Sequence, residues 1–363
     1  MPARFEFTLA EGEADDAALR ALFAGIPMEG GMRIAFEREP SFFDALRVQG
    51  DRVQVGVCRE RATNTIIGSG TRSIATCYLD GAPAPVGYLG DLRLAPQYRG
   101  GTLVARGYRF FRALDADGAA KAYYTAIFSD NARAQSTLAS GRAGIPHYHP
   151  LGRFLCPGLL PARHPVSPGV ERAGPAQLPE IVAFLNARNA SRQFAPVHHL
   201  ADFAPGGRWR GFRVEDFFVL RRGGTVRAVA GLWDQRAFKQ TRVLGYSGRG
   251  RLLRAASAAF SWLGAPRLPR AGSHLASGYA AFLASHDAGS LAAVLAAALG
   301  EARRRGWLYC LAGLHEDDPL APALHGFPNV DFSGELFHVS PPHEASGISL
   351  LNQRIPYVEA ATL

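Results

Sequence analysis

Lysine is almost missing from this sequence. Lys121 and Lys239 are the only two, so arginine supplies the other 38 of the 40 basic residues (40 − 2). In a chain this rich in Ala and Gly, the imbalance reads as GC-rich coding rather than selection for guanidinium chemistry. Cysteine is sparse too. Cys58, Cys77, Cys156 and Cys310 lie far apart with no Cys-x-x-Cys pair. That excludes a disulfide scaffold or zinc framework and suits reduced thiols in a cytoplasm, so no metal site is expected. Long apolar runs are absent. The most apolar stretch, 291–299, has nine residues, whereas a spanning helix needs about 20. The N-terminus, MPARFEFTLAEGEADD, has no apolar signal core and turns acidic at once. The expectation is a cytoplasmic protein with no secretion signal and no membrane partner. What is present is ordinary globular material: 363 residues, 47% hydrophobic and 20% charged. At roughly 100–200 residues per domain, two domains are expected.

The net charge of +9 is concentrated. Between Gly206 and Arg254 stand 12 basic and 3 acidic residues, an excess of 12 − 3 = +9, and the remainder sums to zero. Such a field favours an anionic partner: a phosphorylated cofactor, nucleic acid or an acidic polymer. A solvated Arg-rich sheet face is the alternative.

The run CPGLLPARHPVSPGV at 156–170 carries four prolines and no periodic apolar pattern, so it reads as a linker. The expected division is 1–157, a linker at 158–170, and 171–363. In the first part, alternation and apolar runs predict strands at 4–9, 52–57, 65–76, 86–94, 122–128 and 147–155. Helices are predicted at 15–23, 41–48 with Ser41 as N-cap, 103–114 and 131–138. The fold class is α/β with a mixed sheet. The second part repeats the pattern at one spacing. Gly118 and Gly306 (306 − 118 = 188), Leu103 and Leu291, Leu94 and Phe282, and Asp130 and Asp318 all fall at matching element boundaries, which suggests duplication.

The informative segment is 86–114, VGYLGDLRLAPQYRGGTLVARGYRFFRAL. A strand ends at Ala95-Pro96, a basic residue and two glycines follow, and a helix begins. Glycines allow close backbone approach, and the first-turn N–H groups and helix dipole attract an anion. A pyrophosphate suits such a turn; an ordinary strand–turn–helix connection is the plainer alternative.

Leu92-Arg93-Leu94-Ala95-Pro96-Gln97-Tyr98-Arg99-Gly100-Gly101 resembles the strand 4, loop and helix 3 run of the GNAT superfamily, the acyl-CoA-dependent N-acetyltransferases. Asn131-Ala132-Arg133-Ala134 is similar to the start of its helix 4, where an Asn sits beside the pantetheine arm. The resemblance implies two tandem GNAT-like domains and acetyl-CoA, or another short acyl-CoA, held by Leu92, Arg93, Leu94, Arg99, Gly100, Gly101, Thr102, Leu103, Val104 and Asn131. Three departures stand out: Thr102 for a glycine, Val104 for Gly or Ala, and Leu138 for a Tyr that serves the family as general acid. Leu donates no proton.

The reaction implied is attack of a primary amine, on a small molecule or peptide, at the acyl carbonyl. It needs a base or water, a donor to the oxyanion and an acid for the thiolate. Tyr88 stands where the family often has a Glu. Strand alternation puts Tyr88, Gly90, Leu92 and Leu94 on one face and Asp91 and Arg93 on the other. Tyr88, Tyr148, His147, His149 and Asp91 are the candidate catalytic groups, each with a structural alternative in core packing or an ion pair. The second domain keeps one glycine and an acid, Asp287, at the loop's counterpart, so it is expected to have lost the cofactor. The cluster Trp233-Asp234-Gln235-Arg236 with Lys239 is a candidate wall of the acceptor groove. Two other functions remain open: an aminoacyl-tRNA-dependent peptidyl transferase that meets nucleic acid through Gly206 to Arg254, and a non-enzymatic acyl-CoA sensor.

Overall fold

The computed structural model describes residues 4–138, 144–259, 267–340 and 351–363. The chain runs β1 (Phe5–Leu9), α1 (Gly12–Ala24), β2 (Met32–Glu37), α2 (Phe42–Leu46), β3 (Arg52–Glu60), β4 (Thr65–Leu79) and β5 (Ala82–Leu94). Next come α3 (Leu103–Asp115), β6 (Ala122–Phe128), α4 (Ala132–Leu138), β7 (His147–Leu155), β8 (Gly158–Leu159), β9 (Val170–Arg172) and α5 (Leu178–Asn189). The rest is β10 (Phe217–Arg222), β11 (Thr225–Trp233), β12 (Gln240–Tyr246), α6 (Arg249–Ala259), β13 (Ser277–Ser285), α7 (Ala288–Arg304), β14 (Tyr309–Ala312), β15 (Leu314–His315), α8 (Pro322–His325), β16 (Asn329–Val330) and β17 (Ser333–Ser340). Ser41 caps α2, its Oγ accepting from Asp44 N at 3.3 Å. The β4–β5 hairpin is longer than the sequence pattern predicts. Asp80 and Gly81 both have positive φ, 53° and 91°, as a two-residue hairpin turn requires.

Two large mixed sheets form, in the orders β1-β3-β4-β5-β6-β17-β7-β15 and β16-β8-β14-β13-β11-β10-β9. Each has one parallel strand pair, β5 with β6 and β13 with β14. The two halves exchange strands. From the second half, β17 inserts between β6 and β7, and β15 extends that sheet beyond β7. In return β8 pairs with β14 and β16, and β2 pairs with β12 as a separate ribbon. β17, rather than β7, lies beside β6. The expected linker also begins in a sheet, because 158–159 is β8.

The single spacing of 188 does not survive as a rule. Gly118 and Gly306 do both follow the long helices with positive φ, 60° and 71°. However, α7 starts at Ala288 rather than Leu291, and Phe282 lies inside β13. Asp318 is not followed directly by a helix: it pairs with Arg192 at 3.0 Å, four residues before α8 begins.

The core crosses the halves. Cys77, Val86, Tyr88 and Tyr124 pack in one cluster with Leu336, Val358 and Ala360. Part of the concentrated basic segment is paired within the molecule. Arg208 donates to Val48 O and Gln49 O at 3.3 and 3.2 Å. Arg210 pairs with Asp44 at 3.1 Å and Arg242 with Glu37 at 2.6 Å. Among the described residues no helix is long and apolar enough to cross a membrane.

Candidate active site

Strands β5 and β6 are in register only where Val86, Gly87 and Tyr88 meet Ala122, Tyr123 and Tyr124. Beyond that they part, with Thr125 Oγ1 donating to Leu89 O at 2.7 Å just past the last paired residues. Strand β5 also bulges. Ser69 pairs with Arg93 and Thr71 with Gly90, so Asp91 and Leu92 fall outside the ladder, and Asp91 has φ 52°. One extra residue reverses the in–out alternation beyond it. The expected faces are therefore corrected. Leu94 packs with Leu103 on the side of α3. Asp91 and Arg93 instead join Tyr88 on the opposite face.

The α3 side carries the loop residues. Thr102, the N-cap, makes no side-chain cap bond. The first helical bond runs from Arg106 N to Thr102 O at 2.9 Å, so the amides of Leu103, Val104 and Ala105 precede it. Gly100 has φ 89°, and a Cβ at Gly100 or Gly101 would meet nothing within 4 Å. Arg99 Nε donates to Leu94 O at 2.9 Å, tying down the loop. Asn131 Oδ1 accepts from Ala134 N at 3.2 Å at the start of α4. First-turn amides and unhindered glycines at a helix start are groups that can attract an anion. Beside them Val104, Tyr108, Leu138, Tyr148 and Phe337 form one apolar cluster. The Tyr148 hydroxyl meets the Tyr108 hydroxyl, and burial pushes the Tyr148 phenol well up. A phenol thus stands next to Leu138.

The opposite face carries the other candidates. Tyr88 is 8% exposed. Its ring lies 5.2 Å from that of Tyr124, which stacks on Phe194 at 5.3 Å. A Cβ on Gly90 would sit 2.5 Å from the Tyr88 ring, so only glycine lets the ring lie over the bulge. Burial, and secondly Asp91, push the Tyr88 phenol up. Asp91 pairs with Arg38 and accepts from Gln49 Nε2 at 3.2 Å. Burial works to raise its carboxyl, but Arg38 and then Arg93 hold it below the ordinary value. His149 is the register partner of His338, which also pairs with Tyr124. The two rings stack at 5.7 Å, and His147 lies 6.1 Å from His149. Burial lowers both His149 and His338, the latter to about 4. The three neighbours 147–149 therefore do not act together: Tyr148 faces α3 and both histidines face Tyr124.

Sequence reasoning missed Arg38, Gln49 and Thr71 on this face, and no local pattern marks them. Lys239 was visible as one of two lysines. Its Nζ donates to the backbone oxygens of Ala361 and Leu363 at 3.3 and 3.0 Å. Burial first, then Arg38, pull it down to about 7 against the attraction of Asp91. The unfolded chain keeps that proton to about 10.4. Between about 7 and 10 the unfolded state therefore binds more protons, and stability rises with pH through this window. Lys239→Met should flatten that rise, as measured by thermal midpoints from pH 7 to 9.5.

The second half has the same gap, filled by the chain itself. Strands β13 and β14 pair over 277–280 and 309–312. A register shift follows, and Phe282 has φ 56°. Here the bulge amides are taken: Phe282 N donates to Glu359 Oε2 at 2.7 Å and Leu283 N to the Tyr357 hydroxyl at 3.1 Å. At the helix start, Asp287 accepts from Ser290 N at 2.7 Å. The cluster 233–236 helps hold this C-terminal segment, with Gln235 Nε2 donating to Ala361 O at 2.9 Å. Trp233 is wholly buried.

The fold as a whole has counterparts among solved structures. Saccharomyces cerevisiae N-myristoyltransferase with bound myristoyl-CoA matches with a TM-score of 0.58 and 12% identity, covering 94% of this chain and 85% of that one. A GCN5-related N-acetyltransferase from Sphaerobacter thermophilus matches at 0.58 and 11%, covering 94% and 97%. The chain has the GNAT fold. A GCN5-related glucosamine N-acetyltransferase region of a fungal multi-domain beta-N-acetylglucosaminidase gives 0.59 and 14%, covering 93% of this chain and 38% of that one. No family model matches the sequence, and no curated protein matches it.

Proposed function

We propose that the chain transfers an acetyl or other short acyl group from CoA to an amine in the gap between β5 and β6. The observation that carries this reading is the contrast between the two gaps. In the second half, the bulge amides bind the Glu359 carboxylate and the Tyr357 hydroxyl. In the first half, the corresponding bulge residues, Asp91 and Leu92, lie outside the β4–β5 ladder and beyond the last β5–β6 pair, Tyr88 with Tyr124. We assign the cofactor to 1–157 alone and read 171–363 as a partner domain without one.

When bound, acyl-CoA supplies an activated thioester. The backbone from Gly100 to Val104 would hold its pyrophosphate, with Asn131 beside the pantetheine arm. In this reading the Asp91 and Leu92 amides would donate to the thioester carbonyl oxygen. With its phenol raised, Tyr88 stays protonated at neutral pH and can give that proton to a leaving thiolate or hold a water. The depressed carboxyl of Asp91 makes it an anchor rather than a base. The Tyr88–Tyr124–Phe194 stack lies at the joined end of the gap, and we read it as favouring short acyl groups over long ones.

Thiol release from acetyl-CoA and myristoyl-CoA over a panel of amines tests the reading. Amine-dependent release with acetyl-CoA preferred upholds it. Binding of acetyl-CoA without release by any amine would make the chain a sensor instead. Tyr88→Phe keeps the ring and removes the hydroxyl. It should lower kcat by about 10²–10⁴-fold; a kcat within a few-fold of the parent would remove Tyr88 from the proton route.

A further inference from the structure

The face of the gap opposite α3 carries polar groups that none of the described residues satisfies. Arg38 Nε and Nη1, Ser69 Oγ, Thr71 Oγ1 and Arg93 Nε are buried without a hydrogen-bond partner. Arg38, Ser69 and Thr71 are 7%, 6% and 2% exposed. Folded proteins rarely keep such orphans, and a cluster of them asks for an explanation. These five atoms are neighbours by construction of the bulge. Ser69 pairs with Arg93, Thr71 pairs with Gly90, and Arg38 reaches the bulge through Asp91. All three nitrogens are donors, and the two hydroxyls can donate.

The charge balance has the same sign. Arg38, Arg93 and the partly charged Lys239 face one carboxylate, Asp91. The Arg38 guanidinium lies 5.2 and 5.4 Å from the rings of Phe23 and Phe42, and that of Arg93 lies 5.1 Å from Phe23. Aromatic faces hold a cation in place but do not cancel its charge. A neutral amine would leave the donors unused, and a polycationic acceptor would meet the excess positive charge.

We propose that this wall reads an oxyanion, a carboxylate or a phosphate, carried by the acceptor amine. The proposal rests on the acyl-transfer reading and narrows it to amines that bear an anionic group. Planar guanidinium edges match the oxygens of either anion, and hydroxyls complete the shell. The site is separate from the pyrophosphate cradle, which lies on the α3 face.

The experiment compares matched acceptors in the acetyl-CoA thiol-release assay: amino acids against their amides, and phosphoethanolamine against ethanolamine. The first arm reads carboxylate and the second phosphate. In at least one arm the anionic member should exceed its neutral partner by about 10- to 100-fold in kcat/KM. Arg38→Gln should collapse that ratio. Thr71→Val, which keeps shape and removes one hydroxyl, should reduce it several-fold and serves if the Arg38 variant does not fold. Neutral members equal to or better than anionic ones in both arms would overturn the proposal. If acetyl-CoA binds but no amine releases thiol, the transfer reading fails by itself. Calorimetry with glycine and phosphoethanolamine then decides the wall: saturable binding weakened by Thr71→Val supports it, and no binding of either refutes it.

Discussion

Gly101→Asp should abolish acyl-CoA binding and leave the fold intact. Gly101 is exposed, and a Cβ there meets nothing within 4 Å. Its φ is not in the left-handed region, so a side chain causes no strain. The new carboxylate would sit just before Thr102, which makes no cap bond of its own. It would take the first-turn donors and place negative charge where a pyrophosphate must lie. Like-charge contact at a binding surface costs several kcal/mol, or about 10³-fold in affinity at 1.4 kcal/mol per decade. An acid at a helix N-terminus is itself stabilising, so the thermal midpoint should hold or rise slightly. The second half already contains this arrangement, with Asp287 capping α7. Unchanged acetyl-CoA affinity in the Asp variant would move the cofactor elsewhere.

Glu359→Ala should be the most destabilising single change in the C-terminal segment. Glu359 is 4% exposed. Its carboxylate accepts from Phe282 N at 2.7 Å, the Tyr357 hydroxyl at 3.0 Å and Ala361 N at 3.3 Å. Removing it strands buried donors, each at about 1–3 kcal/mol, for a total of about 3 kcal/mol or more. In a chain of this length that lowers the thermal midpoint by about 4 °C. Glu359→Gln should cost much less. One amide oxygen can keep both Oε2 bonds, and burial already works to raise the Glu359 carboxyl, so a neutral group is tolerated. Equal losses for Ala and Gln would mean that charge, rather than the acceptor oxygen, holds the segment.

The sequence exposes what is local. Residues 86–114 show a strand end, two glycines and an amphipathic helix within one window, and β6 and β7 fall at the expected 122–128 and 147–155. The bulge is different. A two-residue period carries no mark of one inserted residue, so Asp91, Arg93 and Leu94 change faces without any change in pattern. Non-local pairings were equally hidden. Neither β2 nor β12 has a core face of its own, and each becomes a strand through the other. The insertion of β17 depends on residues about 200 positions from its neighbours. The Asp80-Gly81 dipeptide carries a local hairpin signal, which the strand reading of 65–76 and 86–94 passed over. Arg38 is one arginine among 38, and only the orphaned atoms around Thr71 and Ser69 single it out.

The most direct test of the account is a calorimetric titration of the whole chain with acetyl-CoA. One gap has an open helix N-terminus and free space at Gly100 and Gly101. The other is filled by Tyr357 and Glu359 and capped by Asp287. The account predicts saturable binding at one site per chain. No binding, or two sites per chain, would contradict it.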